Sequence, residues 1–338
     1  MIHWQLKKYI PVYTFGPQLH IGFGGAKMGH LIVENSTENN TILGKLVTEG
    51  IPDDELGAGL GEKLKSLHFL EPKKEAGMIN RNELFLSYFS DMELTREIRE
   101  TKILVFGAGA GGGTLIYLLA QFGFCNITVV DFDEVSQSDL YRVMTYDTSD
   151  IGSLKVDALR KRIRDNFRVD LHTDRTHSFE YEEIEQVIER HNPEFIVLAC
   201  DPDLKFRANL NRYCFRNLLN YIVIAYSYEY VKIGPLYIPG FTACDADFSR
   251  MVQTETDEPM DFETYKRLFR GYLIHPSVTF NINILANFAL KEIIFFLSGK
   301  YEYCFSIGRL VEFNPIVLTN RHWSITRYED CKVCSHLK

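Results

Sequence analysis

The sequence predicts an α/β protein: a mainly parallel nucleotide-binding sheet that continues into antiparallel strands, preceded by a small winged-helix-like α+β domain. Three observations carry this. Residues 102–133 place a short apolar run, a glycine cluster, an apolar helix and a second apolar run in that order. The alternation of strand and helix patterns continues to about residue 226, the plan of a parallel sheet. From residue 227 onward the pattern changes to that of antiparallel strands.

Within 102–133, the run 103–106 enters Gly107, Gly109 and Gly112 at G-x-G-x-x-G spacing, and an apolar helix follows over 114–122. Glycines let the backbone turn sharply there, and the free N–H groups of a helix start can face a phosphate. The second strand, 127–130, ends in Asp131, where an acid at a strand tip can accept hydrogen bonds from ribose hydroxyls. A glycine-rich turn without a ligand is the alternative. The full order of strand, glycines, helix, strand and acid favours a nucleotide site.

At 338 residues the chain exceeds the usual single core, which points to one large α/β unit and a smaller appendage. No apolar run approaches the roughly 20 residues of a spanning helix, and the first residues have no signal-peptide pattern, so the expectation is a soluble cytoplasmic protein with no membrane partner. Seven cysteines, five of them isolated, do not form a secreted disulfide framework. A net charge of −8 argues against nucleic-acid partners.

Residues 1–75 read as a separate domain, with β-prone segments at 9–15 and 19–23 joined around Gly16-Pro17, and helices at 36–48 and 53–67. With eight lysines, no arginine and nine acids, this domain carries no phosphate-binding footprint. A peptide added to a sheet edge suits it better, with dimer packing as the alternative. Residues 71–77 read as a linker. The following helix carries Arg81 in its first turn, away from the end where a cation suits the helix dipole.

Beyond Asp131, Arg142 and Lys155 flank a loop, with Lys155 near the start of a helix over 155–166. A buried strand over 194–200 leads to Asp201, a carboxylate facing the crevice where such sheets bind ligands. Strand, helix and strand at 169–173, 181–191 and 221–226 complete that half. An acid-rich stretch, 245–263, reads as a surface loop, and a long apolar helix spans 276–297.

Two chemistries fit this plan. A dehydrogenase needs no extra positive charge on a polyphosphate. Joining a carboxylate to the α-phosphorus of ATP brings anions together and needs cations around the triphosphate, with Arg142, Lys155, Arg81 and a magnesium ion on Asp201 available for that work.

The runs GAGAGG, VVDFDEV, SDLYRV, DIGSLKVDALRKRI and ACDPD together resemble the ThiF, MoeB and ubiquitin-activating-enzyme superfamily of adenylating enzymes. The segments RNELFLSYF, IGPLYIPGFTAC, HPSVTFNINILANFALKEIIFFLSGKY and the terminal CKVC extend the similarity toward its peptide-modifying branch, the microcin-C-type and pantocin-type enzymes. The resemblance implies a cytoplasmic homodimer that uses ATP and Mg2+ to activate a carboxylate of a ribosomally made precursor peptide. It also implies roles for Gly107, Gly109 and Gly112 at the phosphates, Asp131 at the ribose, Arg142 and Lys155 at the triphosphate, Asp201 on magnesium, and Arg81 reaching a partner's site. The family's loop asparagine and glutamine are Asp139 and Val143 here, and a usual glycine is Ala110. A zinc site of two C-x-x-C pairs would be Cys244, Asp247, Cys331 and Cys334, with a carboxylate replacing one thiolate.

Overall fold

In the computed structural model, which describes residues 2–23, 29–73, 80–90, 92, 94–177, 180–200, 204–255 and 276–337, the chain falls into two units, Met1–Leu94 and Thr95–Lys338.

Among its described residues the first unit holds two three-stranded antiparallel sheets, six strands where one strand pair was expected. In one, β1 (His3–Leu6) lies between β5 (Ile51–Pro52) and β6 (Leu70–Pro72). In the other, β2 (Val12–Phe15), β3 (Gln18–Gly22) and β4 (His30–Glu34) run in chain order, the first hairpin turning at Gly16 with φ +57°. Helix α1 (Thr37–Thr48) starts where the Ser36 side chain accepts the Asn39 N–H at 3.2 Å. The segment expected as one helix over 53–67 is instead a 3-10 turn, a π-type turn at Gly57–Gly61 and the short α2 (Glu62–Ser66). Gly57 at φ +67° and Gly59 at ψ −121° leave helical geometry, yet Leu56, Leu60 and Leu64 remain buried with Leu19, Ile21 and Leu46. The expected linker overlaps β6, and α3 (Arg81–Ser90) follows it.

The second unit is built on an eight-stranded sheet. Short helix α4 (Arg96–Arg99) precedes β7 (Ile103–Phe106), α5 (Ala110–Phe122), β8 (Ile127–Val130), α6 (Lys155–Phe167), β9 (His172–Asp174), α7 (Tyr181–His191), β10 (Phe195–Leu198), α8 (Leu204–Arg216) and β11 (Asn220–Ser227). Strands β12 (Tyr230–Tyr237), β13 (Arg309–Asn314) and β14 (Thr319–Ser324) add antiparallel to β11. The spatial order is β14-β13-β12-β11-β10-β7-β8-β9, with β11 through β9 mutually parallel. Strands β7, β8 and β10 are buried along their whole length, which explains why their sequences are unbroken apolar runs. From β7 the chain steps outward to β8 and β9 and then returns to β10 on the other side of β7. That reversal opens a crevice at the strand tips.

Two expectations change here. The acid-rich stretch is helical at its start, α9 (Asp245–Glu255), and Asp245 and Asp247 are buried; the remainder lies outside the described residues. The apolar helix α10 (Thr279–Leu297) has 19 residues and a mean hydropathy of 1.5, long and apolar enough to cross a membrane. It is instead 61% buried in the protein, packed on α5 and β12. Its buried Glu292 accepts the N–H groups of Phe305 at 3.1 Å and Ser306 at 2.9 Å, so the carboxylate anchors the chain that leads into β13.

Candidate functional site

At the tips of β7, β8 and β10 lies a cavity of about 330 Å³ within the second unit, the lower end of the roughly 300–1,000 Å³ typical of small-molecule sites. Gly107, at φ +106°, begins the turn out of β7, and a side chain there would meet the Ala199 carbonyl oxygen at 2.9 Å. Gly109 is the N-cap of α5, and a Cβ added there meets no atom of the described residues within 4 Å, which leaves room for a ligand. Ala110 and Gly111, in the first turn of α5, also line the cavity. First-turn N–H groups have no intrahelical acceptor, which makes this end a natural anion site. Gly112 does not line the cavity. A Cβ there would lie 2.0 Å from the Gly107 carbonyl oxygen, so this glycine lets α5 close against the loop.

Asp131 follows β8 and binds the same loop: one oxygen accepts the Ala108 N–H at 2.6 Å and the other the Asp133 N–H at 2.8 Å. Burial raises its carboxyl above the ordinary value, against the opposing pull of these two bonds and of Lys155. Its position suits a ribose, and its hydrogen bonds show that it also shapes the glycine loop.

Two cations face the cavity. The Arg142 guanidinium donates through Nη2 to Asp139 at 3.1 Å and through Nη1 to the Tyr226 hydroxyl at 3.3 Å, and its buried Nε has no hydrogen-bond partner among the described residues. Asp139 is buried and also accepts the Ser136 N–H and hydroxyl at 2.9 and 2.8 Å. Burial alone would raise the Asp139 carboxyl, but the Ser136 bonds, Lys155 and Arg142 outweigh it and hold it below its usual value. Lys155 is the first residue of α6, with Nζ 3.0 Å from Asp133. A buried lysine at the positive end of a helix is unfavourable for the helix. An anion in the cavity gives it a purpose.

The structure thus brings together Gly107, Gly109, Asp131, Arg142 and Lys155. Arg81 is exposed at the start of α3 in the first unit, and Asp201 lies outside the described residues. Val143 is buried. Asp133 and Tyr226 are cavity residues that the motif reading passed over; the rule that ligands gather at the carboxyl ends of sheet strands would have pointed to both. Around the described cavity, Asp131, Asp133 and Asp139 stand against Arg142 and Lys155, one negative charge in excess. A polyphosphate entering it needs a further cation, so the donor set fits a magnesium-accompanied nucleotide.

A second cluster lies at α9. The ligand atoms of Cys244, Asp247, Cys331 and Cys334 are all buried and within 4.8 Å of one another. The Cys244 and Cys331 sulfurs are 3.6 Å apart, and the Cys334 thiol donates to Asp247 at 3.0 Å. Burial pushes the Cys244 thiol up to about 12 and raises Cys334 as well. Ligand atoms this close could hold a single metal ion, with three sulfurs and one carboxylate as donors.

The sequence profile of the ThiF family matches residues 80–334. Among curated proteins, the adenylyltransferase and sulfurtransferase UBA4 of Vanderwaltozyma polyspora is 35% identical over 81 residues, covering 24% of this chain and 19% of that protein. The molybdopterin-synthase adenylyltransferase of Escherichia coli K12 is 27% identical over 141 residues, 41% of this chain and 54% of that enzyme. The chain therefore spans about half, or less, of the curated relatives it matches. Among solved structures, E. coli MccB with ATP superposes at a TM-score of 0.73 with 21% identity, covering 99% of this chain and 100% of that one. PaaA superposes at 0.70 with 17% identity, covering 94% and 99%. These two likenesses show the shared fold.

Proposed function

The chain belongs to the ThiF family, and from that premise we propose that it is an ATP-dependent adenylating enzyme acting on a carboxylate of a precursor peptide. The observation that carries the reading is the strand-tip cavity. It combines the glycine backbone at Gly109 and the α5 N-terminus with Asp131, Arg142 and Lys155 on its walls. A carboxylate oxygen attacks the α-phosphorus of ATP, the bond to the β-phosphate oxygen breaks, and pyrophosphate leaves as an acyl-adenylate forms. The α5 N-terminus and Lys155 orient the phosphates, Arg142 balances charge on the transferring phosphorus, and Asp131 fixes both loop and ribose. Magnesium, with Asp201 as its proposed ligand, would neutralise the departing pyrophosphate.

The peptide substrate is supported by solved structures of MccB with N-formylated MccA and by the first unit. There the exposed Tyr13, Phe15, Phe23 and Ile32 accompany a sheet with two edge strands, β2 and β4, suited to a leader segment added as a strand. Internal glutamates are favoured over a peptide C-terminus only by the departures of Asp139 and Val143 from the family's loop pattern. Cysteines scattered mostly singly along the sequence suit a reducing cytoplasm. A sulfur-carrier protein is the second reading, favoured by the UBA4 and molybdopterin-synthase relatives.

Chromatography of nucleotide products tests the reaction. AMP and pyrophosphate, formed only with a precursor peptide encoded beside the gene, are expected, and Asp201→Asn should reduce turnover on the order of 10²- to 10³-fold. ADP and phosphate as sole products would mean phosphoryl transfer. Turnover with a carrier protein but no peptide would select the second reading.

A further inference from the structure

The two cations of the cavity are held by aspartates of different kinds. Asp139, which holds Arg142, has a side chain only 3% exposed and shares its carboxylate with the Ser136 N–H and hydroxyl. Breaking that pair would strand a buried carboxylate, so it is a fixed element. Asp133, which holds Lys155, is 55% exposed, while the Lys155 side chain is 11% exposed. An ion pair with a half-solvated carboxylate is weak, and a phosphate offers the ammonium a more highly charged partner. The local backbone does not depend on the Asp133 side chain, because Asp133 holds the start of α6 through its carbonyl oxygen, which accepts the Lys155 N–H at 2.9 Å.

We propose that Asp133 is a positioning residue that parks Lys155 in the ligand-free enzyme and surrenders it to the triphosphate, whereas Asp139 keeps Arg142 in place throughout. The inference rests on the nucleotide reading above and adds a division of labour. Arg142 is set before the nucleotide arrives, and Lys155 exchanges one anion for another. The Asp133 carboxylate is left facing the cavity, beside the same phosphates.

Calorimetry on the full chain with magnesium and a non-hydrolysable ATP analogue, with AMP as control, tests this. Asp133→Asn removes the competing anion without disturbing the backbone contact. It should bind the triphosphate about two- to five-fold more tightly, the worth of an exposed ion pair, and leave AMP affinity unchanged. Removing a carboxylate also lessens plain repulsion of phosphate, so the same substitution is made in Lys155→Met, with Lys155→Gln in reserve should the first fail to fold. There the gain should vanish. An equal gain in both backgrounds, or weaker binding by Asp133→Asn alone, would overturn the exchange. If the wild-type chain binds no triphosphate, the nucleotide reading falls and this inference with it. If it binds the analogue but never cleaves ATP to AMP, adenylation alone falls and the exchange still stands on the binding data.

Discussion

The Tyr146 hydroxyl donates to the Ala108 carbonyl at 2.6 Å. Asp131 accepts the Ala108 N–H, so the two peptide groups flanking Ala108 are held by side chains from different segments. Burial raises the Tyr146 phenol above its ordinary value and keeps it a neutral donor. The glycine loop is thus held by the protein's own side chains, with Gly112 making room for the backbone and Gly109 facing the cavity.

That division can be measured. Gly112→Ala would drive a methyl group into the Gly107 carbonyl and should cost about 1–3 kcal/mol of stability or more, read as a fall in Tm. Gly109→Ala meets no atom of the described residues within 4 Å and should cost no more than about 1 kcal/mol as a poorer N-cap. It should nevertheless weaken nucleotide binding at least about ten-fold in calorimetry, through a methyl group at the ligand face. Equal loss of stability in both would mean that the glycines serve only the turn.

Acid stability should depend on Asp174. Burial alone would raise this carboxyl, but the Thr176 hydroxyl and N–H, His191 and Arg190 outweigh it and hold it at about 2, against an ordinary 3.8. A lowered folded value means that its contribution is complete above pH 4 and is lost as pH falls from about 4 through 2, an effect of about 2 kcal/mol. Denaturant titrations followed by circular dichroism at pH 2, 3, 4 and 7 should show a shallower slope for Asp174→Asn. An unchanged slope would remove Asp174 from the acid response.

Zinc is settled by elemental analysis of the purified chain. About one equivalent, lost on Cys331→Ser, is expected from the four ligands at α9 and the C-terminal segment. A folded, metal-free protein would leave the cysteines as packing residues.

Leader recognition should fail without destabilisation in Phe15→Ser, since this side chain is 74% exposed. Full-length enzyme and precursor peptide should bind several-fold more weakly while Tm stays within about 1 °C, the behaviour of an interface aromatic. Unchanged affinity would move the peptide elsewhere.

If Arg81 completes the site of a second copy, mixing Arg81→Ala with Asp201→Asn protein should restore part of the activity through hybrid dimers. Subunit exchange demonstrated by mass labelling, with no recovery, would count against a shared site.

Much of this was legible from short-range pattern. The strand before Gly107, the acid after β8 and helix α7 lie where their spacing predicts, because each is set by apolar periodicity and a local cap. The break at Gly57–Gly61 went unseen because the leucine stripe keeps its spacing while the glycines leave the helical region. Helix α9 was hidden for the opposite reason. Its buried acids are satisfied by distant groups, Asp245 by Arg207 at 2.5 Å and Asp247 by Cys334, so a run of polar residues looked like surface. The strand-tip position of Asp133 is legible in sequence, but its pairing with Lys155, twenty-two positions away, is not.

The charge balance among the described residues of the cavity has a kinetic consequence. An enzyme whose pocket radiates positive potential draws nucleotides in from a distance, at rates that collapse in salt. Here Arg142 and Lys155 are each paired with a carboxylate, so these two cations add little long-range attraction. Encounter then becomes an unguided search, and affinity is set by how long the nucleotide stays.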